Sequence, residues 1–431
     1  MSMSATGVAR SNDYDRAMPY DTPEPFTVDI PEHVLIDLDE RLRRWRPTTA
    51  IADNGSWASG TDPDFLAELV DYWRHGYDWQ RCQEAINRWP NYLVDIGPQR
   101  LHFIREPGTE VEDTPRPLPL VITHGWPGSI VEFLDVIDLL AHPERHGGDP
   151  LDAFDVIAPS LPGYGFSGPP IRDDGSTGPI GPRAIAGLWH RLVHDKLNYR
   201  RPYGAQGGDW GAVVSSWLAF DHPVKEEKDD WKSGVLGLHL NMAGVRPGID
   251  LKTTALSPAE KLWLADMGQL DDKTAYQRIQ ATRPQTLGVA LSDSPVGLAA
   301  WIVEKFRDWS DCKGDPTNSF SIDTLLDNIM VYWLTGTAGT ATWLYRGVTQ
   351  QKPRALPPGG RVETPTAFAH FPADIAPAPP KEWLERTYDL RRHTAMPKGG
   401  HFAALEEPKL LVEDIQAFFR PLRFGAVQPS R

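Results

Sequence analysis

Gly207-Gly208-Asp209-Trp210-Gly211 is the stretch that decides how this chain reads. A strand over 203–206 is expected to feed it, and a helix to follow. The small-x-nucleophile-x-small spacing is that of a strained strand-to-helix turn, which lifts one side chain clear of the backbone. Ser is the usual central residue; here it is Asp209. The bland alternative is an Asp in a Gly-rich turn that caps the next helix, and five residues alone do not separate the two.

The central carboxylate determines which bonds such a site can open. A Ser attacking an acyl carbon makes an ester that water cleaves. A Ser attacking a saturated carbon makes an ether, which ends turnover. An Asp attacking a saturated carbon makes an ester whose carbonyl belongs to the protein, so water regenerates the enzyme. The implied substrate carries an electrophilic sp³ carbon with a leaving group, such as an epoxide or a carbon–halogen bond. With a reference pKa of about 4, Asp209 is ionised at neutral pH without help.

Outward from this turn, short buried strands alternate with helices. Strands are expected over residues 118–123, 154–158, 203–206 and 235–241. Helices are expected over 130–140 and 184–197. This alternation predicts a mostly parallel sheet covered on both faces. Upstream, helices over 30–44 and 62–77 (Asp62-Pro63 as cap and first turn) precede a hairpin, 92–96 with 101–105, split by Gly97-Pro98. A polar loop, 106–117, follows, and the boundary of the N-terminal module, residues 25–110, falls within it. From 244 to 350 the alternation stops and the chain reads as helical, with Ser257-Pro258 and Asp323 as helix caps. An insertion placed there covers the carboxyl edge of the sheet, where ligands bind. A strand over 366–369, a further strand and a helix over 408–419 complete the core. The expected divisions are a flexible tail (1–24), the N-terminal module (25–110), a core in two parts (111–243 and 351–431) and a helical cap (244–350). The fold class is therefore α/β: an α/β-hydrolase fold with a helical cap and an N-terminal extension.

The rest of the site follows from chain order. His124-Gly125-Trp126-Pro127-Gly128-Ser129 follows the first core strand, where this fold supplies one oxyanion donor; the residue after the nucleophile supplies the other. The donors expected are the backbone N–H groups of Trp126 and Trp210. His401, in Lys398-Gly399-Gly400-His401-Phe402, lies after the last strand and suits the water-activating base. His370 and His393 lie on or beside strands and suit it less. Asp374, 27 residues before His401 (401 − 374), suits the carboxylate that orients the imidazole. Its rivals, Glu382 and Glu385, read as helical and solvent-facing. A leaving alkoxide needs a hydrogen-bond donor, for which Tyr is suited. Tyr276, Tyr345 and Tyr332 are equally eligible by spacing, and none can be told from a buried aromatic.

Together the motifs His124–Ser129, Gly207–Gly211, Asp293-Ser-Pro-Val-Gly-Leu-Ala-Ala300 and Gly399-Gly-His-Phe-Ala-Ala404 resemble those of epoxide hydrolases of the microsomal type, over about residues 25–420. The resemblance implies Asp209 as nucleophile, His401 as base and Asp374 as its partner. It also implies Tyr276 and Tyr345, rather than Tyr332, as the pair that holds the epoxide oxygen. It implies a small-molecule epoxide substrate and no metal or organic cofactor. Mammalian members carry an N-terminal membrane anchor. This chain reads without one, like the soluble microbial members.

Composition sets the remaining bounds. The chain has 431 residues, 40% hydrophobic and 24% charged, with a net charge of −14. An acidic chain without a long basic run argues against a nucleic-acid partner. Two cysteines and no apolar leader predict a reducing, cytoplasmic setting. The N-terminal module is expected either to wrap the cap or to form a homodimer contact. Two other readings use the same motifs. A haloalkane dehalogenase shares the Asp elbow and would bind halide through Trp N–H groups such as Trp210. A non-catalytic binder would keep the fold and lose part of the catalytic set.

Overall fold

The computed structural model describes residues 21–52, 55, 57–226, 232–270 and 273–425. The expected tail lies almost wholly outside them.

Nine strands form one twisted sheet among the described residues: β1 (Glu24–Phe26), β2 (Asn91–Ile96), β3 (Gln99–Glu106), β4 (Leu118–Thr123), β5 (Phe154–Pro159), β6 (Tyr203–Gly207), β7 (Val235–Leu240), β8 (Val362–His370) and β9 (Tyr388–Ala395). Their spatial order is β1-β2-β3-β5-β4-β6-β7-β8-β9. From β5 to β9 all pairings are parallel; β1 to β3 add an antiparallel edge. β4 and β5 are buried along their whole length, the signature of strands covered on both faces. The expected hairpin is present, but it extends the central sheet through β3 and β5 (Ile104 opposite Ala158). Spacing along a chain reveals the hairpin turn and not the long-range partner.

Two expected helices are irregular. Residues 130–140 form a 3₁₀ turn, Ile130–Phe133, and then a short helix, Ile137–Ala141. Ile130, Val131, Phe133, Val136 and Ile137 are all buried, more than one stripe of a regular helix would cover. Residues 184–197 form a helix, Pro182–Arg191, that ends in a π turn, Leu192–Lys196. Ser257 caps its helix as expected, with a reciprocal box to Glu260. Asp323 does not cap the helix Ile322–Leu334. Ser321 does, accepting from Thr324 N–H, while Asp323 accepts the Tyr72 hydroxyl. Between β8 and β9 the chain forms the helix Lys381–Thr387, which carries Glu382 and Glu385.

Between β7 and β8 the chain is helical, including Pro258–Met267, Ala275–Thr282, Pro295–Trp309, Ile322–Leu334 and Trp343–Gln350. The N-terminal helices brace this layer. The Tyr77 hydroxyl and Arg81 both bond Asp327, and Trp73 Nε1 donates to Met330 Sδ. Cys82 and Cys312 are free and buried. No single helix among the described residues is long and apolar enough to cross a membrane.

The last helix, Pro408–Gly425, is locked by Asp414, which accepts from His239, Arg392 and Thr394. Burial pushes this carboxyl up, but those bonds and the neighbouring positive charge outweigh it and hold it well below the ordinary range. Asp414→Ala leaves buried donors without an acceptor and is expected to cost about 3 kcal/mol, read as a lower midpoint in urea. The sign with pH follows. The contribution is full above the unfolded carboxyl pKa of about 4 and fades as pH falls towards the depressed folded value.

Candidate active site

β6 delivers the chain to Asp209, the first residue of the helix Asp209–Asp221. Asp209 has φ +45°, the left-handed region that an L side chain occupies only under local constraint. Gly211 makes the tight turn possible: a Cβ there would stand 1.8 Å from the carbonyl oxygen of Thr123. Gly125 lets the facing loop approach, since a Cβ there would lie 2.1 Å from Asp209 Oδ1. That approach places the Trp126 N–H on Asp209 Oδ1 at 2.7 Å. Trp210, the other expected donor, makes no hydrogen bond to the Asp209 side chain. Its N–H belongs to the first helical turn, whose amides have no intrahelical acceptor.

His401 follows β9 in the loop Gly399–Phe402. Its backbone N–H bonds the Trp309 carbonyl at 2.8 Å, fixing the loop against the helical layer. Its Nδ1 donates to Asp374 Oδ1 at 2.8 Å, and its Nε2 faces Asp209 Oδ2 at 3.5 Å. Burial opposes charge on this imidazole, but Asp374 and Asp209 outweigh it and raise the pKa well above the ordinary value. Asp374 lies in the turn after β8, tied to the His401 loop by Ala373 N–H on the Gly399 carbonyl. Glu382 and Glu385 are exposed on their helix, His370 ends β8 and His393 lies in β9. The other histidine at the site, His124, accepts from Leu161 N–H through Nε2, so Nδ1 carries its proton; burial lowers its pKa to about 4. It is a neutral structural residue.

The tyrosines separate clearly. Tyr332 donates to the Gly128 carbonyl and is committed to holding the loop. Tyr276 and Tyr345 face each other with ring centroids 5.7 Å apart, packed on Trp126 and, for Tyr345, on Trp210 at 4.8 Å. Burial, with Asp209's charge adding to it, pushes both phenols up, so both keep their protons. The Tyr345 hydroxyl is buried with no hydrogen-bond partner.

Asp209, His401, Asp374, Tyr276 and Tyr345 line one cavity of about 520 Å³ between sheet and helical layer. Its other walls are mainly apolar, including Trp263, Leu264, Met267 and Trp383. Among the described residues, no group of three or more His, Cys, Asp or Glu could hold a metal ion. Glu132, a half-buried residue beside Asp209, escaped the sequence reading. Ser129-x-x-Glu132 has the pattern of a capping box. Ser129 Oγ does accept from Val131 N–H, but no bond returns from Ser129 N–H to Glu132.

With this geometry in view, likeness to known proteins becomes informative. Residues 23–133 match the family described as epoxide hydrolase N terminus, and residues 119–310 match the alpha/beta hydrolase fold. A relative from Stigmatella aurantiaca is 41% identical over 403 residues, covering 93% of this chain and 85% of the relative. The chain belongs to the epoxide hydrolase family. Epoxide hydrolase 1 of Oryctolagus cuniculus is 36% identical, with 91% of this chain and 88% of that protein covered. The structure of Aspergillus niger epoxide hydrolase superposes with a TM-score of 0.76 at 31% identity, covering 94% and 97% of the two chains. An epoxide hydrolase needs a nucleophile, a water-activating base and a donor for the ring oxygen. Here a carboxylate, an imidazole and two phenols line one cavity.

Proposed function

We propose that this chain hydrolyses an epoxide to a vicinal diol in two steps, with Asp209 as nucleophile, His401 as base, Asp374 as its orienting partner and Tyr276 and Tyr345 as donors to the ring oxygen. The carrying observation is the line Asp374–His401–Asp209, with the Trp126 N–H on the same carboxylate. An Asp209 oxygen attacks a ring carbon from the side away from the ring oxygen. The C–O bond breaks, and a tyrosine proton passes to the new alkoxide. His401 then takes a proton from water as hydroxide adds to the ester carbonyl. The Trp126 and Trp210 amides take the negative charge that develops on the carbonyl oxygen; one such donor is typically worth about 3 kcal/mol. On collapse the His401 proton passes to the leaving alkoxide, which departs as the diol, and the proton left on the Asp209 carboxyl returns to the tyrosinate, restoring both side chains.

Electrostatics support this order of events. The charges of Asp374 and Asp209 raise the His401 pKa. Esterification neutralises Asp209 and removes one of the two, so the His401 pKa falls and the neutral imidazole that can take water's proton is populated. An unpartnered buried hydroxyl costs about 1–3 kcal/mol, so Tyr345 gains an acceptor when an epoxide oxygen arrives.

Tyr276→Phe and Tyr345→Phe are each expected to slow ester formation by about 100-fold and leave ester hydrolysis within a few-fold. Quenched-flow measurement of the two half-reactions checks this. Equal slowing of both steps would remove the tyrosines from the ring-opening step. Trp210 Nε1 is also buried without an acceptor, the one observation that favours a halide-binding site. Chloride release from a chloroalkane without turnover of styrene oxide would establish the dehalogenase reading instead.

A further inference from the structure

We propose that Glu132 holds the water that opens the Asp209 ester. A second, small cavity lies behind the nucleophile, lined by Glu132, Asp209, His401, Gln206 and Asn241 among others. Its water-accessible volume is about 20 Å³, above the roughly 10–15 Å³ that one water needs. A buried water also needs two to four polar partners, and this lining offers a carboxyl, an imidazole and two amides.

Position and chemistry single out Glu132 within that lining. It lies in the 3₁₀ turn whose cap, Ser129, closes the His124–Ser129 loop, so the segment that carries this carboxyl continues directly from the loop that carries the Trp126 donor. The Gly128 backbone makes room for it: a Cβ at 128 would stand 1.5 Å from Glu132 Oε1. No protein group hydrogen-bonds the carboxyl among the described residues, and no cation pairs with it. Burial, opposed by His401 and reinforced by Asp209, pushes its pKa to about 8. At neutral pH it is therefore a carboxylic acid, offering water one acceptor and one donor, with no buried charge to compensate.

This inference rests on the two-step reading above and adds a place for its second reactant. Water sits with one hydrogen towards His401 Nε2 and the other towards the Glu132 carbonyl oxygen. His401 takes the first proton as the water oxygen bonds to the ester carbon of Asp209. The ester C–O bond then breaks, and the proton passes on to the departing alkoxide. Glu132 begins and ends the step with its own proton. It is a positioning residue for water and takes no part in ring opening.

The test separates the half-reactions in three variants. Glu132→Leu keeps the volume and loses the polarity. Glu132→Gln keeps one acceptor and one donor, as the neutral acid does. In single-turnover mass spectrometry with styrene oxide, Glu132→Leu is expected to form the Asp209 adduct within about twofold of the wild-type rate. Its hydrolysis should be about 100-fold slower, so the adduct accumulates. Glu132→Gln should recover most of the hydrolysis rate, a rescue that a packing role would not give. Gly128→Ala, which displaces the carboxyl without removing it, should also slow hydrolysis selectively and carries the test if Glu132→Leu does not fold. Wild-type hydrolysis in Glu132→Leu, or equal loss of both half-reactions in all three variants, would overturn the inference. If even His401→Gln forms no adduct, the two-step reading itself has failed. If His401→Gln traps the adduct and Glu132→Leu does not, only the role of Glu132 is lost.

Discussion

Asp209→Asn is expected to abolish diol formation, with kcat lowered by about 10⁴- to 10⁶-fold, the range seen when a covalent nucleophile is removed. An amide cannot open an epoxide at a useful rate, and no other carboxylate stands in its place. Asp374 is turned to His401 Nδ1, and burial keeps Glu132 protonated near neutrality. The substitution should leave the fold intact. Asn tolerates the left-handed φ of +45° at least as well as Asp, and its amide oxygen can still accept from Trp126 N–H. Steady-state turnover should therefore vanish while the thermal midpoint stays within a few degrees. Retained turnover in a verified Asp209→Asn sample would remove the nucleophile assignment.

His401→Gln is expected to divide the reaction in two. Ring opening needs an ionised carboxylate and a proton donor, and both remain. Ester hydrolysis needs a base, and none remains within reach. Turnover should fall by about 10³-fold, and the protein should gain the mass of one epoxide on the peptide that contains Asp209. The substitution also leaves the buried Asp374 without the imidazole that Nδ1 bonds. Some loss of stability is therefore expected, of the order of 3 kcal/mol if Gln does not reach Asp374. Trapping does not depend on that loss, because the adduct reports chemistry in folded molecules only. A variant that loses ring opening as fully as turnover would show that His401 acts before the ester forms.

Much of this site is legible in the chain because backbone constraints are written in glycine. Gly207, Gly211 and Gly125 sit where a Cβ would strike backbone or Asp209, so the elbow and the facing loop are spelled in residue type. His401 and Asp374 are legible through chain order, which the topology of a parallel sheet fixes. The tyrosines are not legible from spacing. Tyr276, Tyr332 and Tyr345 are all buried aromatics on helices, and only three-dimensional packing turns one hydroxyl to the Gly128 carbonyl and brings the other two together near Asp209. Glu132 is hidden for a related reason: a Ser three residues before a Glu reads as a local cap. The sheet edge was missed because strand pairing is non-local. The hairpin turn of β2 and β3 is visible in Gly97-Pro98, whereas their union with β5 depends on residues more than fifty positions away. The irregular segment 130–141 follows from burial on several sides, which a periodic pattern cannot express.

Substrate size follows from the same packing. A cavity of about 520 Å³, walled by Trp263, Leu264, Met267 and Trp383, admits a sizeable lipophilic epoxide.

The most direct measurement is a single turnover in ¹⁸O-enriched water, followed by mass analysis of the peptide containing Asp209. If the side chain carries the ester and water opens its carbonyl, label enters the Asp209 carboxylate, and the diol from that first turnover takes its new oxygen from the protein. Label found in the diol alone, with position 209 unlabelled, would mean that water strikes the epoxide directly and would contradict the account.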